Sequence, residues 1–294
     1  MNKIPVTLTI MVIGSDGQIG SELQRLQHTF INCHFHFFSR NIVDVTNYTS
    51  IKTQVDAVRP DFLINCSAFT AVDAAETDSD TCMQINVEGV NNIIKAVAHT
   101  NTFLIHFSSD YVYHRPGPWP IKETDMRCPI GVYAISKALG DEAIMASDIK
   151  YMIWRISWVV SPYKHNFVKT ILRLASERSE LKIVSDQFGA ITYTYDLVCS
   201  LRSAIETMRD QPNSDYTGVY NYANEGMTTW YDIAKRIVEY KNISCEVTPI
   251  PTSEYPTPAT RPHWSVMDKD KVKTTFNLSI SHWYSALIRC IDEV

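Results

Sequence analysis

Thr7-Leu8-Thr9-Ile10-Met11-Val12-Ile13-Gly14-Ser15-Asp16-Gly17-Gln18-Ile19-Gly20 is the stretch on which the fold turns. Its first half is a run of β-branched and apolar residues, the pattern of a buried strand. Gly14-x-x-Gly17-x-x-Gly20 follows at once, and Ser21 to Gln27 can continue as a helix. In a strand–glycine loop–helix unit each glycine lets backbone come close: to itself in the turn, to a pyrophosphate, and to the packed helix. The helix start offers free N–H groups and a partial positive charge to phosphate. Gly14, Gly17, Gln18, Ile19 and Gly20 are therefore candidate dinucleotide contacts. The plainer alternative is a tight strand-to-helix turn.

Working outward, Cys33 to Phe38 reads as the second strand and ends in Ser39-Arg40. A fold that prefers NAD places an acidic residue near here to hold the ribose 2′-hydroxyl. An arginine instead pairs with a 2′-phosphate in a charge-assisted fork. Ser39 and Arg40 thus favour NADP(H) over NAD(H). Asp44-Val45 opens the next turn, and Tyr48 to Val58 reads as a helix. Phe62 to Asn65 is a short buried strand running into small residues, then Phe69-Thr70-Ala71. Small residues at the carboxyl end of a parallel strand let a cofactor lie across it. Ala74 to Thr100 reads as largely helical, with Asn86 inside it able to bond backbone or water near the site.

Thr102 to Phe107 is the fourth strand and ends in Ser108-Ser109-Asp110-Tyr111-Val112-Tyr113. A serine hydroxyl there can bond a carbonyl oxygen about to be reduced. His106 reads as a packed strand histidine and Tyr113 as a packing aromatic. Farther on stands Tyr133-Ala134-Ile135-Ser136-Lys137, at the start of a helix expected over 133–145. Residues four apart share a helix face, so phenol and ammonium would lie side by side. A free tyrosine titrates near ~10. An adjacent cation lowers that value, and bringing it to ~7 takes roughly 4 kcal/mol. Tyr133 would then be a general acid suited to neutral pH. Alternating strands and helices imply right-handed crossovers and a parallel sheet.

The composition is that of a globular chain: 294 residues, 45% hydrophobic, 20% charged, net charge −5. No basic block or basic–aromatic interleaving suggests nucleic acid. The apolar run at 7–13 is too short to cross a bilayer, so no membrane association is expected. Seven cysteines are scattered without a C-x-x-C pair, which argues against disulfides and metal and for a reducing, cytoplasmic setting.

Taken together, these motifs resemble an extended short-chain dehydrogenase/reductase. Later stretches sharpen the resemblance: Trp154-Arg155-Ile156-Ser157-Trp158, Asn166-Phe167-Val168-Lys169-Thr170, Asp186-Gln187-Phe188-Gly189-Ala190, Thr228-Thr229-Trp230-Tyr231-Asp232 and the proline-rich 251–262. These resemble the dTDP-4-dehydrorhamnose reductase family over almost the whole chain. The resemblance implies a Rossmann-type doubly wound α/β fold, with an NADP(H)-binding domain over 1–160 to which parts of 185–222 return. A smaller substrate lobe would occupy 161–294. It implies reduction of the C4 keto group of a nucleotide-linked 4-keto-6-deoxyhexose, dTDP or UDP. Tyr133, Lys137 and Ser109 would carry the chemistry. Ser109, Asp110, Trp158, Asn166, Phe167 and Arg261 would meet the substrate. Asp44, Val45, Phe69, Thr70, Ala71 and Asn86 would line the cofactor groove. Lys137 would hold the nicotinamide ribose and lower the tyrosine pKa. A homodimer is compatible with this reading.

Two other functions fit the same motifs. One is a bifunctional 3,5-epimerase/4-reductase, with His165 supplying a proton-transfer group. Related epimerase-reductases place a cysteine where Asp110 stands, which argues against it. The other is a non-catalytic NADP-binding regulatory subunit of the methionine adenosyltransferase type. In the rest of the chain, Leu197, Leu201 and Ile205 fall at helical spacing and are expected in the core. Thr228 is expected to cap the helix from Trp230, and Trp119 to plug a rigid proline loop. Trp283 to Ile291 is an amphipathic helix, either core or partner surface.

Overall fold

The computed structural model describes residues 7–294. The first six residues of the expected dinucleotide-binding domain lie outside the described residues. The first half alternates β1 (Leu8–Ile13), α1 (Gln18–Leu26), β2 (Cys33–Phe38), α2 (Tyr48–Val58), β3 (Phe62–Asn65), α3 (Ser79–Met83), α4 (Gly89–Val97), β4 (Phe103–Ser109), α5 (Val132–Met145) and β5 (Tyr151–Ile156). The second half adds α6 (Phe167–Glu177), β6 (Glu180–Val184), α7 (Thr194–Asp210), β7 (Gly218–Tyr222), α8 (Trp230–Tyr240), β8 (Glu246–Ile250), α9 (Asp270–Phe276) and α10 (Trp283–Asp292). The six-stranded sheet has the order β7-β5-β4-β3-β1-β2, and every pairing in it is parallel. The order reverses between β1 and β3, where an open α/β sheet holds its ligands.

Side-chain alternation in β1 accounts for the two covered faces. Ile10 and Val12 join a core with α1 and α7, while Met11 and Ile13 join a second core with α2 and α4. Each such side chain, fully buried, contributes about 1.5–3 kcal/mol. Leu197, Leu201 and Ile205 lie in the first core, as the spacing of α7 predicts. Val272 and Phe276 of α9 also return to it, beyond the segment expected to do so. A separate core joins α6, α8, α10 and the β6/β8 pair into the smaller lobe. Trp283, Leu287 and Ile291 are buried there, so the apolar face of α10 is core.

Several sequence expectations need correction. Ala74 to Thr100 is largely helical, as expected, but not continuous. It breaks after Ala75 and passes through a π-turn at Gln84–Glu88 between α3 and α4. Helix α8 is capped by Thr229, not Thr228: Thr229 Oγ1 accepts from the Asp232 N–H at 3.0 Å and Asp232 accepts back from the Thr229 N–H. Trp119 is no plug, since its side chain is 77% exposed. Its backbone carbonyl instead accepts from the Trp264 indole at 2.9 Å. Tyr113 is buried but not merely packed. Its hydroxyl donates to Asn221 Oδ1 and accepts from Arg155 Nη1, both at 2.8 Å.

Arg155 of β5 also donates from Nε to Asp141 Oδ2 of α5 at 2.9 Å. Both side chains are buried. Removing one partner of a buried pair leaves an uncompensated charge, typically at a cost of about 3–5 kcal/mol. Asp141→Ala should therefore lower unfolding free energy by about that amount in urea titration. A loss below about 1 kcal/mol would mean the pair does not anchor α5.

Candidate active site

The glycine loop makes one end of a crevice along the carboxyl ends of the strands. Gly14 takes φ +73°, and a Cβ there would stand 2.6 Å from the Ser67 nitrogen. At Gly20 a Cβ would stand 2.6 Å from the Gly14 carbonyl oxygen. Gly17 is different: a Cβ would meet nothing nearer than 3.4 Å. Its open side faces a cavity of about 200 Å³, shared with Arg40, Asp44, Val45 and Ser67. No side chain caps α1, so its first N–H groups are left for a ligand. These features fit a dinucleotide with its pyrophosphate over Gly17. Arg40 is exposed at the rim, beside Ser39. The Gln18 side chain turns to the smaller lobe, accepting from Ser161 Oγ at 2.7 Å and Asn166 Nδ2 at 3.2 Å. Ile19 packs on the core.

Asn86 sits in the π-turn and is 2% exposed. Its Oδ1 accepts from the Phe69 N–H at 2.9 Å, and its Nδ2 donates to the Phe69 carbonyl at 3.1 Å and Ser136 Oγ at 2.9 Å. The side chain thus clamps the loop after β3 to α5, and Thr70 and Ala71 beyond it are exposed. Asp44 accepts from the Thr46 N–H at 3.0 Å and shapes its own turn.

Strand β4 runs two residues farther than the apolar pattern implies and delivers Ser108 and Ser109 at its end. Ser109 Oγ donates to Asp110 Oδ1 at 3.0 Å. Ser109 also lies close enough to the Tyr133 phenol to pull its pKa down. Burial outweighs that effect and pushes Tyr133 above its ordinary value, with Asp110 adding to the rise. The phenol is therefore fully protonated at neutral pH. The expected lysine effect on it is absent. Lys137 shares a helix face with Tyr133, but its Nζ turns inward, donating to the Phe107 carbonyl at 2.8 Å and meeting His106 Nε2 at 3.3 Å. Burial brings Lys137 down to about 8, while Asp141 and Cys82 resist the fall. Helix α5 begins at Gly131, which has no side chain to cap it; Glu76 accepts from the Val132 N–H at 2.9 Å instead.

Beside the Tyr133 end of the crevice opens a cavity of about 760 Å³, walled by Tyr111, Phe167, Trp230, Tyr255 and Arg261. Tyr111 meets Tyr133 edge to face, centroids 5.7 Å apart. Trp158 takes φ +44° and stacks on Trp230 at 3.9 Å. Asn166 caps α6 through Lys169 N and binds the Ser161 carbonyl at 2.8 Å. Arg261 grips Asp73 through both nitrogens, at 3.0 and 2.6 Å, which latches the proline-rich loop to the sheet domain. His165 is exposed and meets Thr170 at 3.5 Å. Tyr111, Trp230 and Tyr255 were not singled out from the sequence as site residues. For Tyr111 the alternation of Ser109, Tyr111 and Tyr113 around a strand end was the available signal. For Glu76 there was none.

The family described as RmlD substrate binding domain matches residues 8–294. The dTDP-4-dehydrorhamnose reductase of Escherichia coli K12 is 36% identical over 295 residues, with 98% of each chain covered. The dTDP-4-dehydrorhamnose reductase of Bacillus anthracis, solved in complex with NADP, superposes with a TM-score of 0.90 at 30% identity, covering 98% of this chain and 100% of that one. A Clostridium acetobutylicum orthologue gives 0.89 at 32% identity, covering 97% and 99%.

Burial pushes the Asp110 carboxyl up from 3.8 to about 6, against the hydrogen bond from Ser109 and the nearby Ser265 hydroxyl. The folded chain therefore holds this proton to higher pH than the unfolded chain does. Stability is lost as pH rises through that window, about 3 kcal/mol in all. Asp110→Asn should match the parent below pH 4 and exceed its stability above pH 6 in urea unfolding. Parallel curves at all pH values would show that Asp110 carries no such cost.

Proposed function

The chain belongs to the dTDP-4-dehydrorhamnose reductase family, and we propose that it reduces the C4 keto group of a nucleotide-linked 4-keto-6-deoxyhexose with NADPH, in the cytosol. One arrangement carries this reading. The Tyr133 phenol, close to Ser109, packs on Tyr111 of the large aromatic-walled cavity, and the glycine-loop groove opens at the carboxyl ends of the same sheet. Bound NADPH supplies the hydride to the carbonyl carbon.

The chain's own residues do the rest. Gly17 and the open start of α1 receive the pyrophosphate, and Arg40 offers a guanidinium to a 2′-phosphate. Ser109 turns its hydroxyl to the carbonyl oxygen. Tyr133, held as phenol, gives its proton to that oxygen as negative charge develops on it. Lys137, turned inward to the Phe107 carbonyl, keeps one N–H for the ribose side of the crevice. Phe167, Trp230 and Tyr255 supply apolar walls for sugar and base, and Arg261 brings positive charge toward the diphosphate. Asp110, buried behind Ser109, accepts the serine proton until the carbonyl oxygen takes its place.

Tyr133→Phe should lower turnover at least 10²-fold while cofactor binding persists. The check is NADPH oxidation with dTDP- and UDP-4-keto-6-deoxyhexose, each supplied before and after 3,5-epimerisation. Arg40→Ala should erase most of the preference for NADPH over NADH in the same assay. Cofactor binding without oxidation of any of these substrates would refute the reductase and point to a regulatory subunit. Oxidation from the unepimerised sugar would show that the chain performs both steps.

A further inference from the structure

Lys137 lies at the end of a hydrogen-bond chain whose direction is set by one backbone amide. The Ser67 N–H donates to Asn65 Oδ1 at 3.0 Å. A backbone N–H can only donate, so this contact fixes which end of the Asn65 amide is oxygen. Asn65 Nδ2 then faces His106 Nδ1 at 3.1 Å. An amide nitrogen donates too. His106 Nδ1 must accept, and the ring proton must sit on Nε2. That nitrogen faces Lys137 Nζ at 3.3 Å.

We propose that His106 donates its Nε2–H to the amine form of Lys137, making this lysine a titrating group rather than a fixed cation. His106 is thus a positioning residue for the reduction, and the functional meaning of the inference rests on that reading. The inventory closes. A neutral amine has two N–H groups and one lone pair. One N–H goes to the Phe107 carbonyl at 2.8 Å, the lone pair takes the histidine proton, and the second N–H remains for the crevice. An ammonium in the same place would set N–H against N–H.

The surroundings agree. His106 is 1% exposed, and burial with Lys137 beside it holds its pKa well below the ordinary value, so the ring is neutral. Lys137 is lowered by burial as well. The other groups facing it are Asp141 on its own helix and Cys82 on α3, and both favour the ammonium. Protonation is simple: the amine lone pair takes one proton from solvent, and the bond from His106 breaks.

The test uses the full chain without cofactor. Nitrogen-15 NMR of histidine should show His106 as a neutral Nε2–H tautomer above the Lys137 midpoint. Carbon-13 labelled lysine reports that midpoint. In Asn65→Asp a carboxylate accepts from Nδ1–H and turns the chain around, so the Lys137 midpoint should rise by about one unit or more. Ser67→Ala keeps the backbone donor and should leave the tautomer unchanged. A wild-type Nδ1–H tautomer, or an imidazolium, overturns the proposal whether or not the variants fold. An unmoved midpoint in folded Asn65→Asp does the same. Absence of sugar-nucleotide turnover with the tautomer intact would remove the function and leave the hydrogen-bond chain standing.

Discussion

The seating of α5 on the sheet is the constraint on which the crevice depends. Arg155 and Asp141 pair in the interior between β5 and α5, and Tyr113 and Asn221 complete the hydrogen bonding of the guanidinium's neighbourhood. One turn away on the same helix, Lys137 grips the β4 backbone. Next to it in sequence, Ser136 is held by Asn86, which also holds the loop after β3. Polar contacts of this kind are worth little on a surface. Buried, they select one placement of the helix, because a shift would strand the guanidinium, the lysine amine or the amide of Asn86. That placement sets Tyr133 against Ser109. The apolar cores give stability without this precision, since a face of Ile and Val tolerates small slides.

How much of this was legible in the sequence follows from the range of the forces involved. The β1–loop–α1 unit was readable because its signals are local: apolar run, glycine spacing, then helix. The same holds for α2 and β3, whose bounds match the pattern to the residue. The break in 74–100 was not readable. A π-turn keeps helical composition and is selected by what Asn86 must reach across space. Arg155 and Asp141 stood 14 positions apart with nothing in either neighbourhood to join them. The resemblance supplied the later motifs of the smaller lobe. It did not say that Asn166 would cap a helix and bind Gln18, or that Arg261 would be shared with Asp73.

The reading of Tyr133 and Lys137 shows why spacing alone misassigns chemistry. Four residues apart on a helix does put two side chains on one face. It does not say which way a long side chain turns. Lys137 is buried, and its N–H groups need acceptors; the Phe107 carbonyl is the acceptor at hand. The phenol keeps the crevice side and is governed by burial and by Ser109.

Several polar atoms at the end of β4 and around it lack partners: Ser108 Oγ, Asp110 Oδ2 and Ser265 Oγ, all buried. Ser265 and Asp110 lie close enough for the hydroxyl to favour the charged carboxyl, without the alignment of a closed hydrogen bond. Most proteins satisfy such groups, and a fold built for stability alone would not keep a carboxyl here that burial drives toward its neutral form. Their concentration behind Ser109 means that the cost is borne where a carbonyl must be polarised. Rigid polar groups already stripped of water need no reorganisation when charge develops beside them. The same residues that weaken this corner of the fold are therefore the ones that make it reactive.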